Sequence, residues 1–198
     1  CRLEKHIPTR AGLAGGSADA AAAIRIINRM CNLHLTKDEM IAVGKEVGAD
    51  VPFCILNRPA FVQGIGEKIT TFSCNPDFYL LLIKPRKGVS TAEAFHIVDE
   101  QEGIHPDCKA MQEALESNDY DGIISSLGNS MENAAMTLVP EIRNAKQDLL
   151  ELGFDGVLMS GSGSTVFGIT KDVELLDRSI DILKKKRYFV RKTTVHTR

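Results

Sequence analysis

The residues best suited to chemistry lie in one run near the start of the chain: Pro8, Thr9, Arg10, Ala11, Gly12, Leu13, Ala14, Gly15, Gly16, Ser17 and Ala18. Glycines here let the backbone reach positive φ and approach a ligand closely. The apolar spacing that follows begins a helix, whose first N–H groups have no intrahelical partner. Such a helix start favours an anion by roughly 0.3–1 kcal/mol, and by ~2 kcal/mol when partly buried. Phosphate is its natural guest. Ser17 has two competing uses, as the cap of the helix and as a ligand of Mg²⁺. A glycine-rich strand-to-helix turn also serves folding without any ligand. No Gly-Lys-Ser/Thr follows, so the run is not a P-loop. Gly12, Gly15 and Gly16 do not fit the dinucleotide spacing G-x-G-x-x-G either.

Three further clusters stand out. In Gly48-Ala49-Asp50-Val51-Pro52, Asp50 falls between a helix end and the next element. A carboxylate there can orient a hydroxyl and accept its proton, or merely cap the turn before Pro52. In Ser160-Gly161-Ser162-Gly163-Ser164, the amides of Gly161, Ser162 and Gly163 suit either a ligand cleft or a plain hairpin. In Gly88-Val89-Ser90-Thr91-Ala92-Glu93-Ala94-Phe95, Ser90 or Thr91 is a candidate helix cap, and Phe95 lies one turn beyond Thr91. Phe95 suits the core or a stack on a planar ring. The histidines (His6, His34, His96, His105, His196) show no metal-ligand spacing. Gly161-Ser162-Gly163 sits between strands, which argues against the nucleophile elbow of a hydrolase.

The elements that position these clusters follow from periodicity. Ala20, Ala23, Ile24, Ile27 and Cys31 predict a helix over 17–31 with these residues inward. Thr36-x-x-Glu39 is a capping box. It opens a second helix with Met40, Val43 and Val47 inward, ended by Gly48. Strands are predicted over 51–55, 60–63 and 68–72. The alternation Cys1 to Ile7 reads as the inside of a strand, so a truncated or processed chain is expected. Asn75-Pro76 reads as a linker. Beyond it come a strand over 78–83, a helical region from Thr91 to Glu151, strands over 156–159 and 165–170, a helix over 173–186 and a strand over 188–195. This order, strand–helices–strand–strand–helix–strand, is that of ferredoxin-like domains. Two domains are expected, 1–74 and 75–198.

Composition narrows the class. With 24 Lys and Arg against 26 Asp and Glu, the net charge of −2 gives no broad basic field for nucleic acid. The basic run Lys184-Lys185-Lys186-Arg187 suits a solvated helix end. No stretch reaches the ~18 apolar residues of a membrane span. Five cysteines, an odd number without a C-x-x-C pair, suggest reduced thiols and a cytoplasmic setting.

Taken together, Ile7-Pro8, the run from Gly12 to Ala21, Gly48 to Phe53, Gly88 to Thr91 with Phe95, and Met159 to Ser164 resemble the motifs of the GHMP kinases. The closest likeness is to the branch acting on a cytidine-diphosphate-linked methylerythritol in isoprenoid (terpenoid) biosynthesis. The resemblance implies an α/β (α+β) fold, with a partial unit like domain 2 of ribosomal protein S5 followed by a ferredoxin-like domain. It implies that ATP, with Mg²⁺, lies over Pro8 to Ala18 and that Asp50 is the base toward the 2-hydroxyl. It implies that Thr91 and Phe95 hold the cytidine end while Gly161, Ser162 and Gly163 close the cleft. A small-molecule substrate, a monomer or homodimer, and no nucleic-acid or membrane partner are implied as well. The alternatives are a relative acting on homoserine or mevalonate, or a nucleotide-binding remnant without catalysis. Arg10 stands where relatives carry small residues, and Ala18 where many carry a second Ser.

Overall fold

The structure is a computed structural model and describes residues 2–99 and 105–195. The chain forms two compact units. One is Ala14–Cys74; the other joins residues 2–13 to Asn75–Val195.

The first unit is mostly helical. Helix α1 (Gly15–Met30) is followed by α2 (Lys37–Val47), α3 (Val51–Leu56) and a hairpin of β1 (Ala60–Gln63) and β2 (Lys68–Thr71). The capping box at the start of α2 is complete. Glu39 N–H donates to Thr36 Oγ1 at 3.3 Å, and Thr36 N–H donates to the Glu39 carboxylate at 2.7 Å. Gly48 ends α2 with extended backbone, φ 172°.

Several expectations fail over residues 2–74. Residues 51–55 form α3, not a strand. A short apolar run is ambiguous by periodicity; here Pro52, which fits the first turn of a helix, decides it. Arg2 to Ile7 form no strand, and Cys1 lies outside the described residues. Helix α1 starts at Gly15, two residues before the expected boundary. The inward faces also differ. Ile27, Val43 and Val47 are 54%, 45% and 60% exposed, and Cys31 is exposed. The buried core is only Ala21, Val51 and Ile55, edged by Ala20, Ile24, Met40 and Ile41. Three helices and a hairpin cannot bury the full apolar stripes of α1 and α2.

The second unit is built on a four-stranded sheet of β3 (Tyr79–Lys84), β4 (Gly156–Met159), β5 (Val166–Thr170) and β6 (Phe189–Thr194). Its spatial order is β4-β5-β3-β6, with every neighbouring pair antiparallel. Helices α4 (Thr91–Asp99), α5 (Cys108–Ser117), α6 (Tyr120–Ser125), α7 (Glu132–Leu138) and α8 (Glu141–Leu152) separate β3 from β4; α9 (Val173–Lys185) separates β5 from β6. Each crossover therefore skips one strand, the split βαβ arrangement of ferredoxin-like folds. Residues 100–104 and His196, on which sequence readings fell, lie outside the described residues.

Both faces of the sheet are covered. Leu81 and Ile83 of β3 pack with Ile142, Leu149, Leu176 and Leu183. Leu80 belongs to a second cluster with Phe78, Ile123 and Ile169. A strand covered on both sides needs apolar residues at every position, hence the unbroken run before Lys84. Helix ends follow the local signals. Pro140 precedes α8, and Gly153 closes it at φ 97°. Asp172 caps α9 through Leu175 N–H at 3.0 Å, and Lys184 and Lys185 occupy its last turn. No helix among the described residues is long and apolar enough to cross a membrane, and none of Cys31, Cys54, Cys74 and Cys108 is in a disulfide.

Leu81→Ala is expected to destabilise the protein by about 2–5 kcal/mol, whereas Ile27→Ala, at an exposed position, should change stability by less than about 0.5 kcal/mol. Urea unfolding of the two variants checks the pair; equal effects would contradict the core assignment.

Candidate active site

The glycine-rich run passes from one unit to the other between Leu13 and Ala14. Its first half packs on the loop between β4 and β5. Ser160 Oγ donates to the Gly12 carbonyl at 2.9 Å, and Thr165 N–H donates to the Ala11 carbonyl at 3.1 Å. Gly12 sits at φ 69°, and a Cβ there would lie 2.1 Å from the Ser160 carbonyl oxygen and 2.7 Å from Gly163 N. Only glycine satisfies both demands. The loop is held from its other sides as well. Asn129 donates its amide to the carbonyls of Met159 and Gly161, both at 2.8 Å, and accepts from Met131 N–H. Glu132 accepts from Met159 N–H at 3.1 Å and pairs with Lys146 at 2.6 Å. Thr91 Oγ1 and Ser162 Oγ lie 2.9 Å apart. Phe95, on the same helix as Thr91, is 51% exposed and so is not a core residue.

The second half begins α1. Ala14 is the N-cap, in the left-handed region at φ 47°, and no side chain caps the helix. Ser17 therefore stands at the third helical position, and the capping reading of its hydroxyl is overturned. The first intrahelical bond runs from Ala18 N–H to the Ala14 carbonyl at 2.9 Å, which leaves the N–H groups of Gly15, Gly16 and Ser17 without intrahelical acceptors. Arg10 is also left-handed, at φ 50°. Each such non-glycine residue costs roughly 1–2 kcal/mol; strain of this kind gathers where a chain grips a ligand. At Gly16 an added Cβ would meet nothing within 4 Å. The space beside this glycine is open, as close approach of a phosphate requires.

Asp50 belongs to the same unit as α1. It occupies the N-cap of α3, yet its side chain makes no capping hydrogen bond. The reading of Asp50 as a mere turn cap is thereby overturned, and its carboxylate has no hydrogen-bond partner among the described residues. Its neighbour Val51 packs against Ala21 of α1, one helical turn beyond Ser17. This sets the Asp50 turn beside the first turns of α1. The tip of the β1–β2 hairpin backs this turn: a Cβ on Gly66, at φ 107°, would lie 2.7 Å from the Ala49 carbonyl oxygen. Arg25 donates to the Cys54 carbonyl at 3.1 Å. The Cys54 thiol pKa is pushed up, first by burial and then by the Asp50 charge, with Arg25 opposing.

Within their units, then, Gly12 meets Ser160 to Gly163, with Thr91 on Ser162, and Gly15 to Ala18 share a unit with Asp50. Sequence reasoning missed Asn129 and Glu132, which hold the β4–β5 loop. A lone Asn beside Gly128 carries no spacing signal; its role depends on carbonyls 30 and 32 residues away.

Residues 1–58 match the family model of the GHMP kinases N terminal domain, and residues 111–188 that of the GHMP kinases C terminal region. A crystal structure of 4-(cytidine 5'-diphospho)-2C-methyl-D-erythritol kinase shares 31% identity and a TM-score of 0.79, over 98% of this chain and 70% of that one. The chain belongs to the GHMP kinase family. Among curated GHMP relatives, the 4-diphosphocytidyl-2-C-methyl-D-erythritol kinase of Enterococcus faecalis is 41% identical over 92% of this chain, and that of Bacillus pumilus 45% over 84%. This GHMP kinase chain spans 64% and 58% of their lengths. Homoserine kinase from Cytophaga hutchinsonii, 21% identical with a TM-score of 0.80, shares the fold.

Gly12→Ala is expected to lower stability by about 1–3 kcal/mol through clash and strain, while Gly16→Ala, with open space around it, should leave thermal unfolding unchanged or slightly raised. Calorimetric scans of both variants check this; an unaffected Gly12→Ala protein would refute the close packing of the two loops.

Proposed function

We propose that this chain carries the phosphoryl-transfer site of an ATP-dependent kinase acting on the 2-hydroxyl of 4-diphosphocytidyl-2-C-methyl-D-erythritol, an intermediate of isoprenoid biosynthesis. The observation that carries the proposal is an uncapped, glycine-rich helix start in the same unit as an uncommitted aspartate, in a chain 41–45% identical to kinases named for that substrate.

Phosphoryl transfer needs positioning and charge stabilisation more than covalent chemistry. The N–H groups of Gly15, Gly16 and Ser17 would hold the ATP phosphates, within the longer run from Pro8 to Ala18. Mg²⁺, when bound, neutralises charge on those phosphates, and Ser17 is the side chain we assign to it. Among the described residues no cluster of three or more His, Cys, Asp or Glu could hold a metal alone; magnesium at such sites needs few protein ligands because the phosphates supply oxygens. Asp50 accepts the proton of the 2-hydroxyl as that oxygen bonds to the γ-phosphorus and the bond to the β-phosphate oxygen breaks. The products are the 2-phosphate and ADP. Thr91 and Phe95 hold the cytidine end, Phe95 through its exposed ring, and Gly161, Ser162 and Gly163 are the further residues we assign to the substrate. Cysteines outside disulfides agree with a cytoplasmic enzyme.

Asp50→Asn should lower kcat by about 10²–10⁴-fold with little change in KM for ATP, measured as ADP release in the presence of the cytidyl substrate. An unchanged rate would remove Asp50 from the reaction. Turnover of homoserine or mevalonate in place of the cytidyl substrate would move the protein to another branch of the family.

A further inference from the structure

Lys84 ends β3 with only 6% of its surface exposed. A buried ammonium is costly unless its hydrogens are used, and an apolar residue would continue the run of β3 at lower cost. No carboxylate pairs with Lys84 among the described residues. Its Nζ donates instead to two backbone carbonyls, Pro85 at 3.0 Å and Lys87 at 3.3 Å. Burial pushes its pKa down.

The turn so gripped touches both loops of the site. The Lys87 carbonyl also accepts from Ser164 Oγ, a fully buried hydroxyl, at 2.6 Å. The next residue, Gly88, lies against Arg10: a Cβ on Gly88 would come within 2.4 Å of the Arg10 Cβ and 2.8 Å of its carbonyl oxygen. Arg10 is the residue in strained left-handed backbone just before Ala11, whose carbonyl accepts from Thr165 N–H. One carbonyl, that of Lys87, thus receives a donor from β3 and a donor from the β4–β5 loop while its chain braces the glycine-rich run.

We propose that Lys84 is a positioning residue for nucleotide binding: by clamping the Pro85–Gly88 turn it holds Arg10 to Leu13 and Ser160 to Ser164 in one arrangement. The clamp itself is independent of catalysis; its consequence for ATP rests on the kinase reading above. Two measurements separate them. In Lys84→Met, the Thr165 amide should exchange hydrogen at least about tenfold faster than in the unchanged protein, the size expected when hydrogen bonds of this kind are lost. Exchange within twofold of the unchanged protein would overturn the clamp. In steady-state assays, KM for MgATP should rise about tenfold while KM for the acceptor stays within twofold, and Lys84→Arg should recover part of the loss. Equal rises in both constants, or none, would refute the positioning role. Ser164→Ala serves as the second variant should Lys84→Met fold poorly. It should show the same selective rise, because it removes the other donor to the Lys87 carbonyl; a Ser164→Ala protein with unchanged KM for MgATP would count against the proposal. An unchanged protein that turns over no ATP would refute the kinase reading alone, and the exchange result would still judge the clamp.

Discussion

The close approach of Gly12 to the Ser160–Gly163 backbone is the constraint on which the loop arrangement of the larger unit depends. Main chain lies on main chain there, with room for hydrogen but not for a methyl group. Residues 2–13 belong to the second unit because of that contact and the bonds beside it, from Ser160 to Gly12 and from Thr165 to Ala11. A segment distant in sequence from β4 and β5 is joined to them by polar contacts and by the absence of a side chain at Gly12, with Ala11 buried beside them.

The site and the core are stabilised by different means. The core under the sheet is apolar and close-packed, and each position contributes in proportion to the area it buries. The loops above it contain almost no apolar side chains. Asn129, Glu132, Ser164 and Lys84 hold them through single directional bonds to backbone carbonyls and N–H groups. Such bonds contribute little net stability each, but they restrict the backbone to one geometry, and leaving any of them unmade in a buried setting is costly. Geometry is what the proposed phosphoryl transfer would demand of a protein.

Two groups in the smaller unit remain uncommitted: the first N–H groups of α1 and the carboxylate of Asp50. Folding normally satisfies such groups internally, as the Thr36 box, Asp107, Asp119 and Asp172 do at other helix starts. Met131 and Pro140 also lead into α7 and α8 without a side-chain cap, so what sets the start of α1 apart is the open space beside Gly16.

Much of this was legible in the residue order. The Thr36–Glu39 box, the Pro140 and Gly153 boundaries of α8 and the strand–helix order of the larger unit follow from local rules, because caps, glycine conformations and periodicity act within a few residues. The glycine-rich run and Asp50 were legible as candidates by the same local logic. The sequence could not reveal that residues 51–55 coil into α3, that Ile27, Val43 and Val47 stay exposed, or that Ser17 caps nothing, since each depends on how much apolar surface the neighbouring elements offer. Nor could it pair the Lys87 carbonyl with Ser164, or Asn129 with Gly161, because those bonds join segments 77 and 32 residues apart; the bond from Lys84 to Lys87 is local, but the burial of Lys84 is not. Short-range stereochemistry therefore determined which elements and candidate groups exist; long-range packing alone decided which of those groups were consumed by folding and which were left uncommitted.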